Sequence, residues 1–168
     1  MFARFLGRPD VLDAAGGTDI FQMPTGRVKL SAGLNALQCV SLSAKVLRWY
    51  AGCCRTPIGN TAAAAGFPVV GLLHCFMDHE ADGRSRDEAL GLALCSLYPK
   101  SAAGPLPPGA PGAPSFGIFL RLISQRVGWW IGGLGHPDPF FDDRTKAPVA
   151  VPHVLAPNER EALAAIGS

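Results

Sequence analysis

Hydrophobic and polar residues alternate with a period of two over several short stretches in the first half of this chain. One long stretch in the second half follows the helical period instead. Thr18–Met23 reads as a short strand and Pro24-Thr25-Gly26 as a turn. In Arg27–Ala32, Val28 and Leu30 alternate with Arg27 and Lys29, which predicts a half-buried strand. Gly33-Leu34-Asn35 marks another turn, and Ala36–Leu42 the strand after it. Lys45–Ala51 alternates again and carries Trp49 and Tyr50, residues suited to a pleated surface. Pro68–Phe76 is apolar almost throughout, the pattern of a strand buried on both faces. Residues 1–17 contain Gly7, Pro9 and Gly16-Gly17 and are expected to be irregular. Arg84–Leu94 starts as a helix would, whereas Leu92–Tyr98 reads equally well as a strand.

Residues 99–115 form a Pro/Gly-rich linker that can join neither a sheet nor a helix. Two Pro-x-x-Pro spacings, from Pro105 to Pro108 and from Pro108 to Pro111, would suit an SH3-type partner, but an interior linker is the plainer reading. Phe116–Trp130 is expected to be an amphipathic helix. Phe116, Phe119, Leu120, Ile123, Val127, Trp130 and Ile131 fall on one face, and Arg121, Ser124, Gln125 and Gly128 on the other. As a packing helix it would bury Phe119, Leu120, Ile123 and Val127 against the sheet. As a peripheral membrane helix it would set Trp129-Trp130 at the interface and Arg121 and Arg126 at headgroups. Packing in the core or in an oligomer is preferred, because two arginines are little basic charge for membrane attachment. Gly132-Gly133 ends the helix. Asn158 with Glu161 has the spacing of a capping box, predicting a last helix over about Glu159–Ile166.

The expected fold class is therefore mostly β (α+β): a small antiparallel β domain over 1–98, a linker over 99–115, and an amphipathic helix with a short terminal helix over 116–168. The chain has 168 residues, 48% of them hydrophobic and 17% charged, enough for a packed core. A net charge of +2 gives no reason to expect nucleic acid as a partner. No uncharged apolar run reaches the length of a membrane span; the nearest, Ser115–Gly135, carries Arg121 and Arg126 inside it, which argues against stable membrane insertion. Five cysteines without framework spacing, and no secretory signal in the opening residues, point to a reducing cytoplasmic compartment.

Cys53-Cys54 carries the strongest chemical signal. A tight turn presenting two thiolates can supply half of a zinc site, and zinc is the cofactor to expect if the other half exists. The plain alternative is a pair of reduced thiols at a turn. Two thiolates without further donors would bind metal weakly or by bridging two chains, and a homodimer stays open for that reason. Arg48 and Arg55 flank the pair and would favour a thiolate, so a nucleophilic thiol partnered by His74 is a minor hypothesis. His74-Cys75-x-x-Asp78-His79 has ligand chemistry, but adjacent strand residues face opposite ways, and a polar strand end is preferred. Asp142-Asp143 is expected to be solvated surface. Gly132-Gly133-x-Gly135 follows a helix, whereas a phosphate cradle precedes one.

The run Leu47–Asn60, the opening Phe2-Ala3-Arg4-Phe5-Leu6-Gly7, Ala14–Ile20, Pro139-Phe140-Phe141-Asp142 and the Leu155–Leu163 tail resemble an uncharacterised bacterial family. That family is related to the glutathione-dependent formaldehyde-activating (GFA) enzymes and centromere-protein-V-type zinc domains. The resemblance implies a GFA-like fold, zinc binding, carbon–sulfur lyase chemistry in full-length relatives, and a small thiol or thiol adduct as partner. The enzymes' second zinc half-site reads Arg-x-Phe-Cys-x-x-Cys-Gly. On that pattern Arg48 and Tyr50 match Arg and Phe, Ala51 stands at the first Cys, Cys54 matches the second, and Arg55 replaces Gly. The amino-terminal Cys-x-Cys and Cys-x-Cys-x-x-Cys-Gln segments of relatives have no counterpart in this sequence, so the implied activity is expected to be incomplete, with no turnover of the glutathione–formaldehyde adduct. The alternative from another class is a non-catalytic interaction domain that uses the Pro-rich segment and the Trp-bearing helix.

Overall fold

The computed structural model describes residues 1–78, 83–97, 99, 102, 104–106 and 111–165. Its framework is one six-stranded sheet of β1 (Ile20–Met23), β2 (Leu37–Ser43), β3 (Val46–Ala51), β4 (Pro57–Ala62), β5 (Val70–Leu73) and β6 (His153–Val154). The order across the sheet is β1-β5-β4-β3-β2-β6. Every pairing is antiparallel except the short parallel pairing of β6 with β2. The helices are α1 (Phe2–Leu6), α2 (Arg86–Leu90), α3 (Phe116–Ile131) and α4 (Pro157–Ala165). The expected class, a mostly antiparallel β domain with an amphipathic helix and a short terminal helix, is what forms.

Side-chain alternation divides the core in two. Leu37 and Cys39 of β2, Leu47 and Trp49 of β3, and Val70 and Leu72 of β5 pack with Phe140 and Phe141. Val40 and Tyr50 join Phe2, Leu6 and Leu155 in a second cluster. Helix α1 closes that second cluster because Phe2, Ala3 and Leu6 share one face of a single turn. Gly7 ends it at φ 64, a conformation that costs glycine nothing, and its N–H caps the carbonyls of Ala3 and Arg4. The expectation of irregular chain over 1–17 is corrected here: the breakers stop α1 rather than prevent it.

The alternation at Arg27–Ala32 does not make a strand. Thr25–Arg27 is a 3₁₀ turn, with Val28 N–H donating to Thr25 at 2.9 Å. This turn is committed to the chain after α3. Gly26 N–H donates to Leu134 O at 2.9 Å and Thr25 Oγ1 to Gly135 O at 3.2 Å. A Cβ at Gly26 would lie 2.7 Å from the Leu134 carbonyl oxygen, so only glycine permits the contact. Val28 and Leu30 still pack against the core, which explains the pattern without a ladder.

Strand β4 escaped the sequence reading because its hydropathy is inverted. Pro57, Gly59 and Thr61 face inward while Ile58 is only half-buried. Gly59 is required there, since a Cβ would sit 2.8 Å from the Gly71 carbonyl oxygen on β5. The apolar run Pro68–Phe76 shrinks to the four fully buried residues of β5, then turns through His74–Phe76. Arg84–Leu94 resolves as α2, started by a capping box. Ser85 N–H donates to Glu88 Oε2 at 2.7 Å, and Glu88 N–H returns to Ser85 Oγ at 3.3 Å. Residues 92–97 form no strand, and Tyr98 lies outside the described residues. So does part of the 99–115 linker, whose described residues 102, 104–106 and 111–115 form no helix or strand.

Helix α3 forms where predicted, capped by Ser115 Oγ, but its face is reversed. Phe119, Leu120, Ile123 and Val127 are exposed, not buried against the sheet. Ile118, Leu122, Arg126 and Trp129 are the half-buried positions, and Arg126 Nη2 donates to Gln22 Oε1 on β1 at 3.0 Å. Phe140 and Phe141, rather than the α3 stripe, pack with Leu37, Cys39, Leu47, Trp49, Val70 and Leu72 in the larger core cluster. Helix α4 begins at Pro157, and its cap is Ala156 N–H on Glu159 Oε2 at 2.8 Å, not Asn158 with Glu161. Ile166 lies outside the described residues.

Candidate functional site

Cys53 and Cys54 sit at the tip of the β3–β4 hairpin, both exposed. The loop is closed by Ala51 N–H to Thr56 O at 2.9 Å and Arg55 N–H to Ala51 O at 2.8 Å. Arg55 takes φ 56, the left-handed conformation in which such loops ordinarily place glycine. Gly52 lets the turn lie against β2: its N–H donates to Ala36 O at 2.7 Å, and a Cβ would meet the Gln38 amide at 2.7 Å. A register shift between Trp49 and Tyr50 leaves one extra residue on β4 and bends the hairpin end.

The register is set by a buried hydrogen bond two residues inward. Trp49 Nε1 donates to Thr61 Oγ1 at 2.9 Å, and the indole packs on Phe140 with ring centroids 5.0 Å apart.

Cys54 is held by a short relay. Its Sγ lies 3.1 Å from Thr56 Oγ1. That hydroxyl already accepts from Arg8 Nη1 at 3.3 Å, which leaves its own hydrogen for the sulfur. Arg8 is fixed in turn by a two-pronged pairing with Asp10, Nε to Oδ1 at 2.8 Å and Nη2 to Oδ2 at 2.7 Å. The Thr56 hydroxyl, the Thr56 backbone N–H and the Cys53 thiol lower the Cys54 pKa from its ordinary value, with Arg8 adding attraction for the anion. Desolvation raises the Cys75 pKa, with Arg8 acting against it. Burial pushes Cys39 up to about 11.

Arg8, which the sequence reading passed over, is thus an arginine that acts on Cys54 through Thr56. Arg48 donates to Asn60 Oδ1 at 3.0 Å across the β3–β4 pair and lies over the Phe2 ring. Arg8 lies forty-five residues before the pair in sequence, and only the docking of α1 brings it there. His74, considered as a base for the thiol, lies 3.9 Å from Asp19 Oδ2, which also takes Arg86 at 2.6 Å. Cys75 and Asp78 are exposed, and His79 lies outside the described residues. Asp142 caps a surface turn, accepting from Thr145 N–H at 2.6 Å, and Asp143 meets His136 at 3.3 Å.

A cleft of about 130 Å³ lies beside the turn, between α1 and the hairpin. Phe5, Leu6 and Tyr50 wall it, and Gln38, Gly52 and Arg55 line the rest. Among the described residues no three His, Cys, Asp or Glu side chains gather where they could hold one metal ion. Among the described residues, Cys53 and Cys54 are two donors of the four that a closed zinc set needs. No helix among the described residues is long and apolar enough to cross a membrane.

Fold and site together define a small α+β protein with an exposed, polarised thiol at a hairpin tip. The chain belongs to the family of unknown function DUF6151, whose profile matches residues 1–151. No curated protein and no solved structure matches it.

Proposed function

We propose that this chain handles small thiols or thiol adducts through Cys54, whose thiolate is stabilised by the Thr56–Arg8 relay. The observation that carries the reading is geometric: an exposed thiol whose Sγ lies 3.1 Å from a Thr56 hydroxyl that is itself held by Arg8 at 3.3 Å, an arrangement that favours the thiolate. With a disulfide substrate, the Cys54 thiolate attacks one sulfur and forms a mixed disulfide. The substrate S–S bond breaks, and the other sulfur leaves as a thiolate. The cleft walled by Phe5, Leu6 and Tyr50 receives the remainder of the molecule.

Cys53 acts as a hydrogen-bond donor in this scheme rather than a resolving thiol. Adjacent Cα atoms are about 3.8 Å apart, shorter than the roughly 4.4–6.8 Å that unstrained disulfides span. A second small thiol must release the product. A reducing cytoplasm is the compartment this chemistry needs.

A second reading keeps the zinc expectation. Two thiols on one exposed turn are what a metal shared between two chains would take, since this turn supplies half a tetrahedral set. The relation to GFA-type domains and their lyase chemistry rests on the sequence resemblance.

The test is incubation of reduced protein with a small disulfide, followed by mass spectrometry and peptide mapping. A mixed disulfide concentrated at Cys54 supports the reading. Adducts spread over the exposed cysteines at the rate of a free thiol would remove it. Elemental analysis of the same preparation addresses the second reading: zinc near half an atom per chain, lost in Cys53→Ser/Cys54→Ser, would favour it.

A further inference from the structure

We infer that the outward face of α3 is the contact between two copies of this chain. Phe116, Leu120, Ile123, Val127 and Trp130 recur at alternating spacings of four and three, the repeat by which one helix seats on another. Phe119 and Ile131 widen the stripe to an arc of about 120°. All seven are exposed, Phe116 at 76%, Trp130 at 68% and Ile131 at 75%. Their exposed apolar surface comes to roughly 700 Å² per chain, beyond what a monomer usually shows and close to the per-partner area of a stable interface.

The charges select a second copy over a lipid surface. The helix has no acidic residue and only two basic ones. Arg126 is tied to Gln22 on the body of the protein, and Arg121 stands about 140° round the helix from Phe116. Neither lies where a headgroup would meet a helix resting on its apolar stripe. The same placement keeps both arginines off the seam, so two identical faces meet without like-charge repulsion.

Anchoring supports a rigid contact rather than a loose arm. Past α3, Leu134 and Gly135 accept from the Thr25-Gly26 turn at 2.9 and 3.2 Å. Ile118, Leu122 and Trp129 are half-buried.

The experiment is sedimentation equilibrium of the full, reduced chain at micromolar concentration. Ile123→Glu and Val127→Lys break the seam, and Arg121→Glu serves as a control on the polar face. Ile123 and Val127 are exposed within one chain, so these variants keep its fold, which circular dichroism verifies. The wild type and Arg121→Glu are expected to be dimers, and each seam variant weakens the dimer by roughly a hundredfold. A monomeric wild type would overturn the inference, and so would seam variants that dimerise as tightly as the wild type. A monomer that co-sediments with anionic phospholipid vesicles would assign the face to a membrane surface instead.

Discussion

Thr61→Val tests how the hairpin that presents Cys54 is held in register. Valine keeps the shape of threonine and removes the only oxygen on the side chain that accepts from Trp49 Nε1 at 2.9 Å. Trp49 is wholly buried and Thr61 is 5% exposed, so water cannot replace the lost acceptor. A buried donor left unsatisfied costs about 1–3 kcal/mol. With a urea m value of about 2 kcal/mol/M, the unfolding midpoint falls by roughly 0.5–1.5 M. The orphaned donor is the cause, so adding Trp49→Phe to Thr61→Val costs about 1 kcal/mol less than adding it to the wild type. Urea titrations of the four proteins, followed by far-ultraviolet circular dichroism, give the cycle. A Thr61→Val penalty under about 0.5 kcal/mol would refute the reasoning, because that is what an exposed or optional hydrogen bond shows.

Thr56→Ala and Arg8→Gln should each raise the Cys54 pKa, moving the midpoint of its alkylation rate against pH upward and slowing labelling at neutral pH; an unmoved midpoint would break the relay. Arg55→Gly should stabilise the protein by about 0.5–1 kcal/mol in thermal unfolding, because φ 56 strains an arginine and suits glycine. Asp138 has its pKa raised, chiefly by burial, so the native state holds that proton more tightly than the unfolded chain. Its contribution is fully present below the unfolded carboxyl pKa and is lost as pH rises through the folded one. Asp138→Asn, which can still accept from Phe140 N–H, should therefore be more stable than the wild type at neutral pH, with the gain closing as pH falls into the carboxyl range.

Where apolar residues both alternate and find a ladder partner, the strands were readable, as in Ala36–Leu42 and Lys45–Ala51, which became β2 and β3. Val28 and Leu30 alternate as well, yet the Thr25-Gly26 turn bonds to Leu134 and Gly135 and keeps them out of the sheet. Nothing local to Arg27–Ala32 records that commitment. Strand β4 was hidden for the opposite reason, because glycine and threonine face its core.

Periodicity placed α3 to within one residue but not its orientation. An apolar stripe says which side avoids water, not whether the core or another molecule covers it. At the candidate site, the Cys53-Cys54 turn was visible as adjacent cysteines before Pro57. Arg8 was not, since Arg8-Pro9-Asp10 reads as a breaker segment. A Ser/Thr two residues beyond a cysteine in a tight loop was the available local signal for Thr56, and it concerns hydrogen bonding rather than hydropathy.

The most direct test of the central claim is site-resolved alkylation of the native, reduced protein with iodoacetamide over a pH series, each cysteine followed by mass spectrometry. Cys54 should be labelled well ahead of Cys39 and Cys75, with a midpoint below the ordinary thiol value. A Cys54 midpoint at or above that value, or labelling no faster than that of Cys75, would contradict the account.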